Sequence, residues 1–282
     1  MGTLYIVPTP IGNLEDMTLR ALRVLREVAL IAAEDTRTSR VLLRHYDIDT
    51  PLISYHEHNK LSRLDSVFEA LATGDVALIS DAGMPGISDP GYELIQAAIS
   101  QGVRVEPLPG PNAVLPALVG SGLPTDQFVY LGFLPRKAKA RAELLESLIP
   151  EERTLVFYES PNRLLDTLEA VQTVMGDRTV CVARELSKLY EEFVRGPVST
   201  VISHFTANPP RGEIVLVVGG APAASDEAWD EDRVRAALQE HVAAGEPLSS
   251  AAKAVAGQSG WKRREVYALG TETNPRKNDR NP

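Results

Sequence analysis

Cysteine is almost absent: Cys181 stands alone in the 282 residues. That excludes an internal disulfide framework and any cysteine-rich zinc site, and it fits a reducing cytoplasm. The five histidines show no metal-ligand spacing, so no metal is expected. A basic excess is missing as well. Twenty-nine Lys and Arg face 38 Asp and Glu, a net charge of -9, which argues against a dedicated nucleic-acid binder. The longest apolar runs, Val28 to Ala33 and Ile214 to Val218, fall far short of the roughly 20 residues of a membrane helix. Met1 to Leu14 has no basic segment of the signal-peptide kind. A soluble cytoplasmic protein without membrane association is expected.

What is present is alternation. Short apolar runs at 4–7, 29–33, 52–55, 76–79 and 103–105 read as strands, separated by helix-period segments at 18–27, 39–46, 63–72 and 92–100. That pattern indicates a largely parallel α/β sheet. After a Gly/Pro-rich stretch at 110–124, which holds a short helix at 113–118, a second alternating block follows. Its strands are expected at 128–131, 154–158, 179–183, 191–194 and 214–218, with the last two as an antiparallel pair. Helices are expected at 141–148 and 163–174. The segment 219–232 has linker composition. Helices are then expected at 233–243, 249–257 and 263–269. The division is thus two α/β domains, 1–122 and 123–221, a small helical appendage at 228–270, and a disordered tail at 271–282.

The strongest local signal is Leu78-Ile-Ser-Asp-Ala-Gly-Met-Pro-Gly-Ile-Ser-Asp-Pro-Gly91. Ligands of open α/β sheets bind beyond the carboxyl ends of strands, where this loop lies. Its turn-residue density from Asp81 to Pro85 points to function, while Asp89-Pro90-Gly91 reads as a helix start capped by Asp89. Pro8 to Asn13 and Pro107 to Ala113 occupy comparable positions, and three such loops suggest a crevice. None matches a dinucleotide fingerprint or a P-loop. Glu34-Asp35-Thr36-Arg37 is a further strand-to-helix junction, with Asp35 or Thr36 as cap and Arg37, Arg40 and Arg44 near one helix face. Arg136-Lys-Ala-Lys-Ala-Arg141 places positive charge at a helix start, where the helix itself disfavours it, and so suggests a phosphate partner. Lys262-Arg263-Arg264 is a second basic cluster, at a spacing like that of a helix-turn-helix.

Together these stretches resemble the bacterial ribosomal RNA small-subunit methyltransferase I family, a branch of the tetrapyrrole-methylase-like S-adenosylmethionine enzymes. The resemblance is carried by 79–91 and supported by 4–14, 31–37, 107–112, Phe157-Tyr-Glu-Ser160 and Ala183-Arg-Glu-Leu-Ser-Lys188. It spans about residues 3–220 in consistent order. Met84 departs from the Thr of many members. The resemblance implies 2′-O-methylation of a cytidine in the decoding region of 16S ribosomal RNA on the 30S subunit. It further implies S-adenosylmethionine held between two α/β domains, and a homodimer. By motif position it assigns Pro10, Asp81, Met84, Asn112, Ala113, Tyr158, Ala183 and Glu213 to the cofactor.

Holding oxygen, methyl carbon and sulfur in line supplies much of the acceleration of such a transfer, and a base for the hydroxyl proton adds to it. Glu34, Asp35 and Lys188 are the candidate bases. Arg37, Arg184, Arg136, Lys137, Lys262 and Arg263 are the candidate RNA contacts. Two alternatives stay open: methylation of a tetrapyrrole or diphthamide precursor, and a non-enzymatic ribosome-associated binder. The acidic total does not exclude RNA. Residues 1–126 hold 9 basic and 16 acidic side chains, so most of the negative charge sits in the first domain.

Overall fold

The computed structural model describes residues 1–56, 60–221 and 229–272. The apolar runs of the first half form β1 (Thr3–Ile6), β2 (Leu30–Ala33), β3 (Leu52–Ser54), β4 (Val76–Ile79) and β5 (Arg104–Pro107). All pair in parallel, in the order β3-β2-β4-β1-β5. Between them run α1 (Leu19–Glu27), α2 (Thr36–His45), α3 (Lys60–Thr73) and α4 (Tyr92–Ser100). The inner strands β2 and β4 are buried on both faces, which is why they lack polar alternation. Leu4, Ile6, Val67, Leu71, Leu78 and Leu94 pack on one side, and Val7, Leu25, Ile31 and Ile79 on the other.

The next helix, α5 (Val114–Ser121), ends the first alternating block. The second block is β6 (Phe128–Phe133), α6 (Ala138–Ser147), β7 (Thr154–Glu159), α7 (Leu164–Met175), β8 (Thr179–Arg184), β9 (Glu192–Pro197), α8 (Val198–Ala207) and β10 (Ile214–Val218). Its sheet runs β6-β7-β10-β8-β9, parallel only between β6 and β7. The expected pairing of 191–194 with 214–218 does not form. β9 folds back on its neighbour β8 as a hairpin, and β10 inserts between β7 and β8. There its five residues are all buried, which suits an all-apolar Ile-Val-Leu-Val-Val run.

One face of this sheet packs on helices around Phe157, Leu168, Val201 and Phe205. The other face is covered by Val114, Ala117 and Leu118 of α5, against Val156, Cys181, Val215 and Val217. A helix that closes the first block thereby seals the second sheet, and both sheets belong to one compact unit, Met1–Ala221. Phe157 is fully buried, so Phe157→Ala is expected to cost about 3–5 kcal/mol. Urea unfolding should show a lowered midpoint at an unchanged slope.

A second compact unit follows Ala221. It contains α9 (Glu231–Ala243), α10 (Leu248–Ser259) and α11 (Arg263–Glu272) around Val234, Leu238, Val255 and Val266. Trp261 donates its indole N–H to the Trp229 carbonyl at 2.6 Å. Thr271 and Glu272 complete α11. The rest of the expected tail, 273–282, and residues 222–228 of the expected linker lie outside the described residues. Among the described residues no helix is long and apolar enough to cross a membrane.

Candidate active site

The three Gly/Pro loops follow β1, β4 and β5, which are neighbours in the sheet. They are tied to one another. Thr9 and Gly83 exchange backbone hydrogen bonds at 2.9 and 2.8 Å, and the Thr9 hydroxyl donates to the Ser80 carbonyl at 3.0 Å. Gly83 has φ +81°, and a Cβ placed there would lie 3.6 to 3.9 Å from Ile11 and the Pro111-Asn112 backbone, an ordinary contact distance. Glycine at that position permits the left-handed backbone from which the two bonds to Thr9 are made.

Above them lies a cavity of about 620 Å³, within the usual range for small-molecule sites. The first half lines it with Ile11, Ala82 to Met84, Ile87 to Asp89, and Asn112 to Val114. The second half adds Phe128, Tyr130, Phe133, Tyr158, Leu186 and Glu213 to Val215, among others. Tyr158 meets Tyr130 edge-on at 5.3 Å and Phe133 at 5.5 Å. The Tyr130 hydroxyl is 2.7 Å from the Ser88 hydroxyl. Ser88 itself holds φ +62°, a strained value for a residue with a side chain. Burial pushes both phenols up, so they remain neutral.

Among the described residues no Lys, Arg or His lines the cavity, whereas Asp89, Glu159 and Glu213 do. Glu159 is neutralised within the fold by Arg163 at 3.5 Å and accepts the Thr167 hydroxyl at 2.7 Å. Glu213 is likewise paired, with Lys188 at 3.1 Å, and burial lifts the Asp89 carboxyl to about 7, so the otherwise apolar space is close to neutral and suits a neutral or singly cationic ligand.

Of the residues expected at a cofactor, Met84, Asn112, Ala113, Tyr158 and Glu213 line this cavity; Pro10, Asp81 and Ala183 do not. Ala183 is fully buried in β8, beside Val215 of the wall strand β10. Asp81 turns sideways, its carboxylate accepting the Asp35 N–H at 3.1 Å while its own N–H donates to Glu34 at 3.4 Å. Pro10 stays on the β1 loop without reaching the wall.

The three candidate bases also lie outside the wall. Asp35 caps α2 and is gripped by Arg37 at 2.6 Å, which holds its carboxyl down at about 2, too weak a base. Lys188 sits 2.9 Å from Glu185 and 3.1 Å from Glu213. Burial opposes its charge, but the two carboxylates outweigh it and raise the amine, so it is a poor proton acceptor. Glu34 is raised, first by burial and then by the nearby Asp81 and Asp35 charges, the Asp81 N–H bond opposing.

Asp89, read from the sequence as a helix cap, is on the wall instead. α4 begins at Tyr92 behind Gly91, with no side-chain cap. Burial, followed by the charges of Glu34 and Asp81, pushes the Asp89 carboxyl up to about 7 against the opposing bond from Ser80. Its spacing of eight residues from Asp81, within one glycine-rich loop, was the available signal. Tyr130 carried none, being one residue in an ordinary strand.

The RNA candidates divide by partner. Arg37 is committed to Asp35 and Arg184 to Glu192. Arg136 and Lys137 are exposed before α6, with no ion pair among the described residues. Lys262 and Arg263 are exposed at the start of α11 in the C-terminal unit. Among the described residues no group of three His, Cys, Asp or Glu is placed to hold a metal ion.

Residues 3–202 match the family model of the Tetrapyrrole (Corrin/Porphyrin) Methylases. The chain is 48% identical over 274 residues to the ribosomal RNA small subunit methyltransferase I of Synechocystis sp., covering 96% of this chain and 98% of the relative. It is 52% identical over 221 residues to the protein of that name from Thermotoga maritima, covering 78% of this chain and 99% of the relative. Its fold is similar to that of uroporphyrin-III C-methyltransferase from Thermus thermophilus, solved with S-adenyl homocysteine. The TM-score is 0.56 at 20% identity, over 77% of this chain and 97% of the other. The chain therefore belongs to the tetrapyrrole methylases and, within them, to the ribosomal RNA small subunit methyltransferase I family.

Proposed function

We propose that the protein transfers a methyl group from S-adenosylmethionine to the ribose 2′-hydroxyl of a cytidine in the decoding region of 16S ribosomal RNA. The observation that carries this reading is the cavity: loops of one sheet and aromatic residues of the other enclose about 620 Å³, with carboxylates but, among the described residues, no cationic side chain in the wall. That chemistry fits S-adenosylmethionine, an adenosine joined through a sulfonium to an amino-acid end whose ammonium and carboxylate balance, leaving one net positive charge. When bound, it supplies a methyl group already activated by the sulfonium.

The chain's own residues do the rest. Tyr130, Phe133, Tyr158 and Ile87 exclude water and fix the orientation on which in-line transfer depends. Glu213 complements positive charge. Asp89 accepts the hydroxyl proton, and Glu34 assists by keeping the proton affinity of Asp89 high. Residues 1–122 and 123–221 supply the two halves of this site. Arg136 and Lys137, with Lys262 and Arg263 of the 228–270 appendage, contact RNA phosphates; Arg37 and Arg184 are left to their carboxylate partners. The substrate is the 30S particle and not free RNA, in keeping with a net charge of -9 and weak non-specific attraction to nucleic acid. On the family resemblance, the protein works as a cytoplasmic homodimer.

The test uses donor labelled in its methyl group, undermethylated small subunits and, separately, a porphyrinogen. Label in the small-subunit RNA is expected. Label in the porphyrinogen alone, or in neither acceptor, overturns the proposal.

A further inference from the structure

We propose that the first turn of α6 binds a phosphodiester of the RNA substrate around the guanidinium of Arg141. This rests on the RNA reading above and adds a site to it.

Arg141 is only 8% exposed. Its Nε has no hydrogen-bond partner, and no ion pair engages its guanidinium among the described residues. Two other arginines share the unpartnered buried Nε but satisfy their terminal nitrogens on carbonyls. Arg163 donates to Leu134 at 2.8 Å, and Arg178 to Ile149 at 2.5 Å. Arg141 does not. Its terminal nitrogens are not enclosed and make no hydrogen bond among the described residues, so they open to the surface where an anion can reach them.

Arg141 shares its helix face with Leu145, which is fully buried, and with Leu148, which packs against the same core. Its stem is therefore anchored. Helical side chains lean toward the N-terminus, which carries the guanidinium over the opening turn of this ten-residue helix.

That turn is prepared for an anion in two further ways. Its cap residue, Lys137, makes no side-chain cap bond, and the turn contains no acid. Free N–H groups and the helix dipole favour a phosphate there. Arg136 and Lys137 add exposed positive charge, and Lys139 reaches only Glu143, at 3.8 Å. The turn begins a few residues after Phe133, a wall residue of the cavity, so a phosphate held here keeps the RNA backbone near the reacting ribose.

Arg141→Met keeps the apolar stem and deletes the charge. Small-subunit binding and methylation are measured across a salt series, with donor affinity and melting temperature alongside. The expected result is affinity weakened about tenfold, with KM raised in step, and a slope of log K against log salt reduced by about one. Donor affinity should be unchanged and melting temperature equal or higher, with Arg141→Lys recovering part of the loss. Unchanged affinity and salt slope, or an RNA loss accompanied by equal loss of donor binding, overturns the site. If the wild-type protein does not methylate the subunits at all, it is the RNA reading that fails.

Discussion

Asp89→Asn is expected to slow methyl transfer by about 10²–10⁴ in single-turnover assays, the range for loss of a general base. Donor affinity should change little, because the amide keeps the size of the carboxyl. The expectation follows from position and charge. Asp89 lies in the cavity wall, with Glu34 and Asp81 on its acidic side and Tyr130 and Tyr158 facing it. Burial and those carboxylates lift its carboxyl from 3.8 to about 7, close to the proton affinity a base needs at neutral pH. Transfer should therefore rise with pH through an apparent midpoint near 7, and Glu34→Gln should shift that midpoint down by removing a neighbouring negative charge.

The same shift sets a stability signature. Between about pH 4 and 7 the folded protein holds the Asp89 proton more tightly than the unfolded chain does, so this group's contribution falls as pH rises through that window. Asp89→Asn should thus melt above the wild type at pH 8 and lose that advantage near pH 4. An unslowed single turnover would remove Asp89 as the base.

Gly83→Val is expected to lower donor affinity by about 100-fold while the chain still folds. Valine is rarely tolerated at the φ of +81° that Gly83 adopts, and forcing it costs about 1–3 kcal/mol. A Cβ there would lie 3.6 Å from Ile11, so space is adequate and the conflict is conformational. Relieving it means leaving the left-handed region. That breaks both hydrogen bonds to Thr9, each worth about 0.5–1.5 kcal/mol, and frees the wall formed by Ala82, Gly83 and Met84. Together these losses reach about 2–3 kcal/mol, hence the factor of about 100. Gly83→Ala should show a smaller loss. Calorimetric titration with S-adenosylmethionine measures both, and undiminished affinity in the valine variant would show that the loop does not hold the donor.

What the sequence made legible was local. The strands β1, β4, β7 and β10 are apolar because both their faces are buried, and that is visible without any partner. Their order is not visible, since β10 reaches its place between β7 and β8 through pairing with residues 30 to 63 positions away. The loops after β1, β4 and β5 stood out because tight contacts need glycine and proline. Which carboxylate faced the cavity did not. Asp81 looked functional in its dense run but turns toward Asp35, whereas Asp89 had the appearance of a cap and lines the wall. Arg141 was one of four bases in a cluster, and only its burial separates it from Arg136, Lys137 and Lys139.

The most direct measurement is nucleoside mass spectrometry of small-subunit RNA incubated with S-adenosylmethionine and either wild-type protein or Asp89→Asn. The expected result is one 2′-O-methylcytidine per subunit with the wild type and a strongly reduced yield with the variant. A methyl group on a base, or no methylated nucleoside at all with the wild type, would contradict ribose methylation of RNA at this cavity.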